Sequence, residues 1–195
     1  MPRCKFAFAD PPYGADVDKW DAEFYWEHDY LIEKSDVVAV TPGIVSIKEF
    51  MNKTQLPYRW SLACWIINGT ARGEMGFGNW IYVALFSNES LYRNAQDFVK
   101  ISIKSTEAEN TGHKGQKPAG LLSYLLKTFT EEDDYIIDPF LGSGRTLIVA
   151  DKLLRSCIGG EINPEYCSKI IDRWQNKTGF VAERIEVSDV INSLR

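Results

Sequence analysis

Short apolar runs, separated by polar stretches and by turns rich in glycine and proline, recur along the chain. Phe6-Ala7-Phe8-Ala9, Asp36 to Val40, Ser61 to Ile67, Trp80 to Phe86, Tyr135-Ile136-Ile137 and Cys157-Ile158-Gly159-Gly160 are short and nearly continuous in apolar residues. They predict strands buried on both faces, as in a largely parallel sheet covered by helices. Phe98 to Ile103 reads as a short edge strand, and Arg184-Ile185-Glu186-Val187 as a last strand. Helical spacing occupies Ile44 to Asn52, Arg145 to Leu154 and the stretch from Asn163-Pro164 through Trp174. A further helix starts at Lys117-Pro118 and carries Leu121, Leu122, Leu125, Leu126 and Phe129, with Pro118 near its first turn. Gly14 to Glu33 is acidic and aromatic and reads as a loop running into a helix, with Phe24, Trp26 and Tyr30 as packing residues. Asn68 to Asn79 has glycine at four of its twelve positions. Two readings stand for it: a segment that orders when a ligand binds, or a plain hairpin connection. Ser105 to Gln116 is polar and loop-like. Strands alternating with helices make the fold class α/β.

With 195 residues, 45% of them hydrophobic, the chain is expected to form one domain over 1–195 with a sizeable core. No charged-then-apolar leader opens the sequence, and no run approaches the roughly 18 apolar residues of a membrane span, so a soluble, cytoplasmic protein is expected. Cys4, Cys64, Cys157 and Cys167 lie far apart with no C-x-x-C pair, and His28 and His113 are the only histidines. Neither a disulfide framework nor a metal site follows; the thiols are expected to be free and mostly buried.

Net charge is −5, which by itself argues against a polyanionic partner. The distribution changes that. Between Asp10 and Asp36 nine acids face only Lys19 and Lys34, so the remainder of the chain carries a net +2. From Val37 to Lys117 nine basic residues outnumber six acids. A local binding face of modest positive charge is compatible with nucleic acid.

Candidate chemistry begins where the first strand ends, at Asp10-Pro11-Pro12-Tyr13. Ligands of open α/β sheets bind at the carboxyl ends of the strands. Paired prolines remove two backbone donors and leave the carbonyls around Asp10 and Pro11 without ladder partners. An acceptor cluster beside the flat ring of Tyr13 suits a heterocycle bearing an exocyclic amino group; a strand ending in a proline-rich turn capped by an acid is the simpler reading. A second site follows from Asp138-Pro139-Phe140-Leu141-Gly142-Ser143-Gly144, a tight glycine turn between a strand and a helix, with Glu161 at the end of the next strand. Glu161 lies 17 residues past Gly144, near the roughly 20 expected of an acid that takes ribose hydroxyls. The third glycine of a dinucleotide fingerprint is replaced by Leu147, and Arg145-Thr146 stands where a P-loop would end in Lys-Ser/Thr. An adenosine ligand without phosphates, such as S-adenosylmethionine, fits better. Asp138 has two readings, ligand contact or cap of the turn. His113 likewise reads as a cofactor-pocket contact or a solvated loop histidine.

Asp10-Pro11-Pro12-Tyr13, then His113 to Lys117-Pro118, then Asp138 to Gly144, then Glu161 together resemble, in that order, the DNA amino-methyltransferases in their permuted β-type arrangement, in a minimal bacterial or phage-like form. The resemblance spans nearly the whole chain. It implies a Rossmann-like methyltransferase fold, a mixed seven-stranded sheet with one reversed strand flanked by helices, divided into a base-site half (1–112) and a cofactor half (113–195). It implies that Asp10, Pro11, Pro12 and Tyr13 form the base site, Asp10 and the Pro11 carbonyl accepting the amino hydrogens and Tyr13 stacking. Lys117, Pro118, Asp138, Phe140, Gly142, Ser143, Gly144 and Glu161 would then hold S-adenosylmethionine. An aspartate at position 10 favours adenine N6 as the target, because cytosine-N4 enzymes of the family more often carry serine there; cytosine-N4 remains the alternative. Carbon-5 methylation would need a catalytic cysteine, usually after proline, and the chain has no Pro-Cys pair. Amide methylases usually carry asparagine at the acid position and place the cofactor half first. A reading from another class is an inactive methyltransferase-like subunit that only binds nucleic acid. The DNA partner would be a duplex with its target base flipped out, or a single strand, since a stacked base is out of reach. Arg72, Phe77, Arg93 and Lys104 are the candidate DNA contacts. The interval where the family inserts a target-recognition region, Asn88 to Gly112, holds only 25 residues, too few for a separate domain. A monomer or homodimer in a bacterial or phage-infected cell is the expected setting.

Overall fold

The computed structural model describes residues 3–12, 14, 25–69, 71–72, 76–102 and 115–186. In chain order the elements are β1 (Cys4–Ala9), α1 (Leu31–Lys34), β2 (Ser35–Val40), α2 (Ile47–Lys53), β3 (Tyr58–Ile66), β4 (Ala71–Arg72), β5 (Phe77–Gly78), β6 (Trp80–Phe86) and β7 (Phe98–Ile101), followed by α3 (Ala119–Phe129), β8 (Tyr135–Asp138), α4 (Arg145–Lys152), β9 (Ser156–Gly159) and α5 (Pro164–Thr178). Seven strands form one sheet in the order β7-β3-β6-β2-β1-β8-β9. β6 runs antiparallel to both of its neighbours and every other pairing is parallel, so it is the one reversed strand expected.

The apolar runs become strands because both of their faces are covered. Along β1, Phe6 and Phe8 enter one core with Leu121, Leu122, Leu125 and Leu126 of α3, while Ala7 and Ala9 enter the other with Trp26, Leu31 and Phe50. Alternate side chains point to opposite faces, so a strand at the centre of the sheet must be apolar at nearly every position. α3 presents its leucines at helical spacing to the first core, and Phe129 stacks on Phe6 at 5.7 Å between ring centroids. Trp26 packs edge-on against Phe50, as expected of a packing residue, whereas Tyr30 is exposed.

β1 is the strand at which the sheet reverses its winding. The chain goes from β1 to β2 on one side, and later from β8, on the other side of β1, outward to β9. This places a crevice at the carboxyl ends of β1 and β8, where open α/β sheets bind ligands. Asp10, Thr41, the turn after Asp138 and Glu161 all follow carboxyl ends on that edge. The β3–β6 connection, which contains the antiparallel pair β4–β5, leaves from the same edge, and β7 ends there too.

One expectation is corrected. Arg184-Ile185-Glu186 is not a strand, and Val187 lies outside the described residues; Ile185 is 62% exposed and Arg184 pairs with Glu186, so a lone apolar residue between charges has no core face to bury. The glycine-rich 68–79 connection carries the β4–β5 pair, which is the hairpin reading. Before β2, helix is confined among the described residues to the single turn α1. No helix among the described residues is long and apolar enough to cross a membrane.

Candidate active site

β1 and β2 pair in register to Ala9 opposite Val40, and each is followed by a polar residue and a proline, Asp10-Pro11 and Thr41-Pro42. The Thr41 backbone N–H donates to the Ala9 carbonyl at 2.9 Å, extending the ladder by one step. This sets the Thr41 hydroxyl beside the acid, to which it donates at 2.6 Å (Oγ1 to Asp10 Oδ1). The other carboxylate oxygen, Oδ2, accepts from Lys117 Nζ at 2.5 Å, and Lys117 also reaches the Gly115 carbonyl at 3.2 Å. The ion pair is sheltered, with side-chain exposures of 10% for Lys117 and 19% for Asp10. It joins residues 107 positions apart and ties the end of β1 to the segment that starts α3. Lys117, expected among the cofactor-holding residues, has its ammonium on Asp10. Pro118 is buried and its carbonyl accepts from the Leu121 and Leu122 N–H groups, starting α3.

The glycine turn is built from backbone strain that only glycine relieves. Gly142 and Gly144 have φ of 51° and 72°, left-handed values disfavoured for residues with a Cβ. A Cβ on Gly144 would also sit 2.8 Å from Ile170 of α5. Asp138 accepts from the Phe140 N–H at 3.0 Å and from the Thr146 hydroxyl, and is 1% exposed. It caps the turn, as one of its two readings held. Burial pushes its carboxyl up to about 7, and the hydrogen bonds from Thr146 and Phe140 only partly offset that.

Glu161 grips the turn from the end of β9. Its Oε2 accepts from the Gly142 N–H at 2.8 Å and its Oε1 from the Asn163 N–H at 2.7 Å. Ser143 is held on two sides, its hydroxyl accepting from Gln116 Nε2 at 2.9 Å and its carbonyl from Arg173 Nη1 at 2.8 Å. Asp10, Lys117, Asp138, Phe140, Gly142 and Ser143 line a single pocket together with Phe8, Gln116, Leu122 and Thr146. The acid after β1 and the glycine turn after β8 face the same space. Beside it, His28 lies 4.5 Å from Phe140 between ring centroids, and burial holds its imidazole below the usual range.

Thr41, Gln116 and Arg173 are site residues that sequence reasoning missed. For Thr41 a signal existed, because two apolar runs each end in a polar residue followed by proline. Gln116 and Arg173 carried none, since each reaches the turn only through the packing of another segment. Pro11 is buried and Pro12 half-buried. Tyr13, Lys104 and His113 lie outside the described residues. The backbones of Arg72 and Phe77 pair across β4 and β5, and Arg93 is exposed in the β6–β7 connection. Cys4 and Cys64 are free and buried, Cys157 and Cys167 free and half-buried.

A family model described as DNA methylase matches residues 44–172. The type II methyltransferase M2.LlaDCHI of Lactococcus lactis subsp. cremoris is 42% identical over 74 residues, which are 38% of this chain and 27% of that protein. The DNA adenine methyltransferase YhdJ of Escherichia coli K12 is 32% identical over 100 residues, 51% of this chain and 33% of that protein. The matched stretches thus span about a third or less of these relatives' lengths. Among solved structures, the M1.HpyAVI–SAM complex superposes with a TM-score of 0.66 at 16% identity, covering 88% of this chain and 90% of that one. The cytosine-N4-specific PvuII DNA methyltransferase gives 0.65 at 16% identity, covering 98% and 85%.

Proposed function

The chain belongs to the DNA methylase family whose model it matches over residues 44–172, and from that premise we propose that it transfers a methyl group from S-adenosylmethionine to the exocyclic N6 amine of adenine in DNA. One observation carries the reading: the acid after β1 and the glycine turn after β8 open into one pocket, with Lys117 bonded to Asp10 and the adjacent Gln116 bonded to Ser143. We read residues 1–195 as a single catalytic domain whose two halves each contribute one side of it.

The pocket fits the cofactor. A turn without a side chain at Gly142, with Phe140 and Leu141 beside it, would leave room for a flat purine and its ribose. The polar end offers Lys117, a cation for the carboxylate of a methionine moiety. Phe140, Gly142, Ser143, Lys117 and Glu161 would hold the molecule, with Asp138, Gly144 and Pro118 fixing the backbone that presents them. When bound, S-adenosylmethionine supplies an electrophilic methyl group on its sulfonium. The chain's own task is positioning. Asp10 Oδ2 and the Pro11 carbonyl accept the two amino hydrogens, so the nitrogen pyramidalises and its lone pair leaves conjugation with the ring. Tyr13 stacks on the base and fixes its plane. Orientation and preorganised acceptors supply the acceleration, and no covalent intermediate is needed.

Adenine is favoured by the aspartate at position 10 and by a relative that is itself a DNA adenine methyltransferase. Nucleoside analysis of DNA incubated with the protein and labelled cofactor is expected to yield N6-methyladenine. Methylcytosine as sole product would overturn the adenine reading and leave the cytosine-N4 alternative. Cofactor binding without transfer to any DNA would favour the inactive-subunit reading.

We place DNA on the carboxyl edge of the sheet, over the β4–β5 hairpin and the stretch that follows β7, with Arg72, Phe77 and Lys104 against it; Arg93, expected there too, follows the end of reversed β6 and so lies toward the opposite edge, near Lys5. The hairpin and the end of β7 emerge on the same edge as Asp10, which supports this. On that edge, the Lys117 ammonium is paired with Asp10. With about three to five phosphate contacts left, log affinity should fall against log salt with a slope of roughly −3 to −5. Arg72→Ala and Lys104→Ala should each lower affinity and flatten that slope by about one, and Arg93→Ala should change neither. Unchanged titrations in Arg72→Ala and Lys104→Ala would put the duplex elsewhere. Few contacts favour a short target or a homodimer offering two such faces. The relatives' bacterial sources support a bacterial or phage-infected cytoplasm as the setting.

A further inference from the structure

We infer that Thr41 is a positioning residue for the methyl transfer, its hydroxyl fixing the Asp10 carboxylate so that Oδ2 is the oxygen presented to the substrate amine. This rests on the function proposed above and adds a residue that the four sequence motifs do not contain.

The geometry carries it in three steps. Thr41 is fully buried, and its hydroxyl donates to Asp10 Oδ1 at 2.6 Å. Its backbone N–H is independently satisfied by the Ala9 carbonyl. The main-chain role of this position is therefore met without the side chain, and the hydroxyl is left with the carboxylate as its work. Second, the two oxygens of Asp10 are made unequal. Oδ1 meets a neutral, immobile donor on the neighbouring strand, and Oδ2 meets Lys117, a long side chain on the pocket wall that can move away. An incoming amine therefore exchanges with Lys117 at Oδ2 and leaves the Thr41 contact undisturbed. Third, a carboxylate on its own rotates about χ2, a broad torsion with shallow wells. A hydroxyl donor anchored in the sheet removes that freedom, and an acceptor whose direction is already fixed needs no reorganisation during the reaction.

Thr41→Val keeps the branched shape and the backbone bond and deletes the hydroxyl. Loss of one hydrogen bond to a charged group is expected to lower the single-turnover methyl-transfer rate by about 10- to 100-fold. The cofactor dissociation constant, read by calorimetric titration, should stay within about twofold of wild type, since Thr41 does not touch the glycine turn. Thr41→Ser keeps the hydroxyl and removes the methyl group, and it should restore the rate to within about threefold. A purely structural Thr41 would reverse this order, because valine fills the buried site better than serine. Wild-type rates in Thr41→Val would overturn the inference, and so would a folded but inactive Thr41→Ser, which decides the matter even if Thr41→Val does not fold. If wild-type protein binds cofactor but methylates no DNA, the proposed function fails first. An active wild type with an indifferent Thr41→Val refutes this inference alone.

Discussion

Asp10→Ala is expected to reduce methyl transfer by about 10³-fold or more while S-adenosylmethionine binding stays within about threefold of wild type. Removing one preorganised partner of a reacting group costs about 10²–10³ in rate, and here the lost group also fixes the plane in which the amine must deform. The cofactor contacts proposed for Phe140, Gly142 and Glu161 lie on β8, β9 and their turn, which Asp10 does not support. The substitution has a second consequence. Lys117, 10% exposed, loses a carboxylate partner at 2.5 Å. Breaking a fully buried pair costs about 3–5 kcal/mol, and this partly open one should lower stability by about 1–3 kcal/mol. Asp10→Asn separates the two effects, because an amide still offers Lys117 an oxygen. It should recover most of the stability and little of the rate. Single-turnover kinetics, cofactor titration and thermal melting on the three proteins provide the check. Wild-type turnover in Asp10→Ala would remove Asp10 from the reaction.

The second large effect is expected at Glu161. Both Glu161→Ala and Glu161→Gln should weaken cofactor binding by about tenfold or more. The two oxygens of this carboxylate each accept one backbone N–H, from Gly142 and from Asn163. A carboxamide has a single acceptor oxygen, so glutamine satisfies one N–H and turns its own donors toward the other. The conservative replacement is thus nearly as damaging as truncation, as bonds to a charged acceptor contribute about 1.5–3 kcal/mol each. Release of Gly142 loosens the turn that presents Phe140 and Ser143. At saturating cofactor the transfer rate should fall less than affinity does, the reverse of Asp10→Ala. Wild-type affinity in Glu161→Gln would show that the carboxylate neither holds the turn nor touches the ligand.

Ribose recognition was the role that sequence spacing suggested for Glu161, and the structure adds the grip on Gly142, which no spacing rule contains. The same division runs through the chain. Phe6 to Ala9, Val37 to Val40 and Tyr135 to Ile137 were legible as buried strands because continuous apolar runs of that length have no stable alternative to a sheet covered on both faces. The turn at Gly142 and Gly144 was legible because left-handed backbone is a local steric demand met by glycine. Asp10, Lys117 and Glu161 stood out by motif and order. Arg184 to Val187 misled because short-range alternation says nothing about whether a neighbouring strand or a core exists to receive it.

Local sterics and burial pattern, which act over a few residues, are what the sequence determines by itself: where strands end, where glycine must stand, and which faces of α3 are apolar. Contacts across long separations are set by strand order, and strand order is a property of the whole sheet. That Thr41 holds Asp10 across 31 positions and Lys117 holds it across 107 follows from β1 lying between β2 and β8. The tertiary structure alone decided this, because a carboxylate finds its donors only when the sheet has brought three separate segments to one edge.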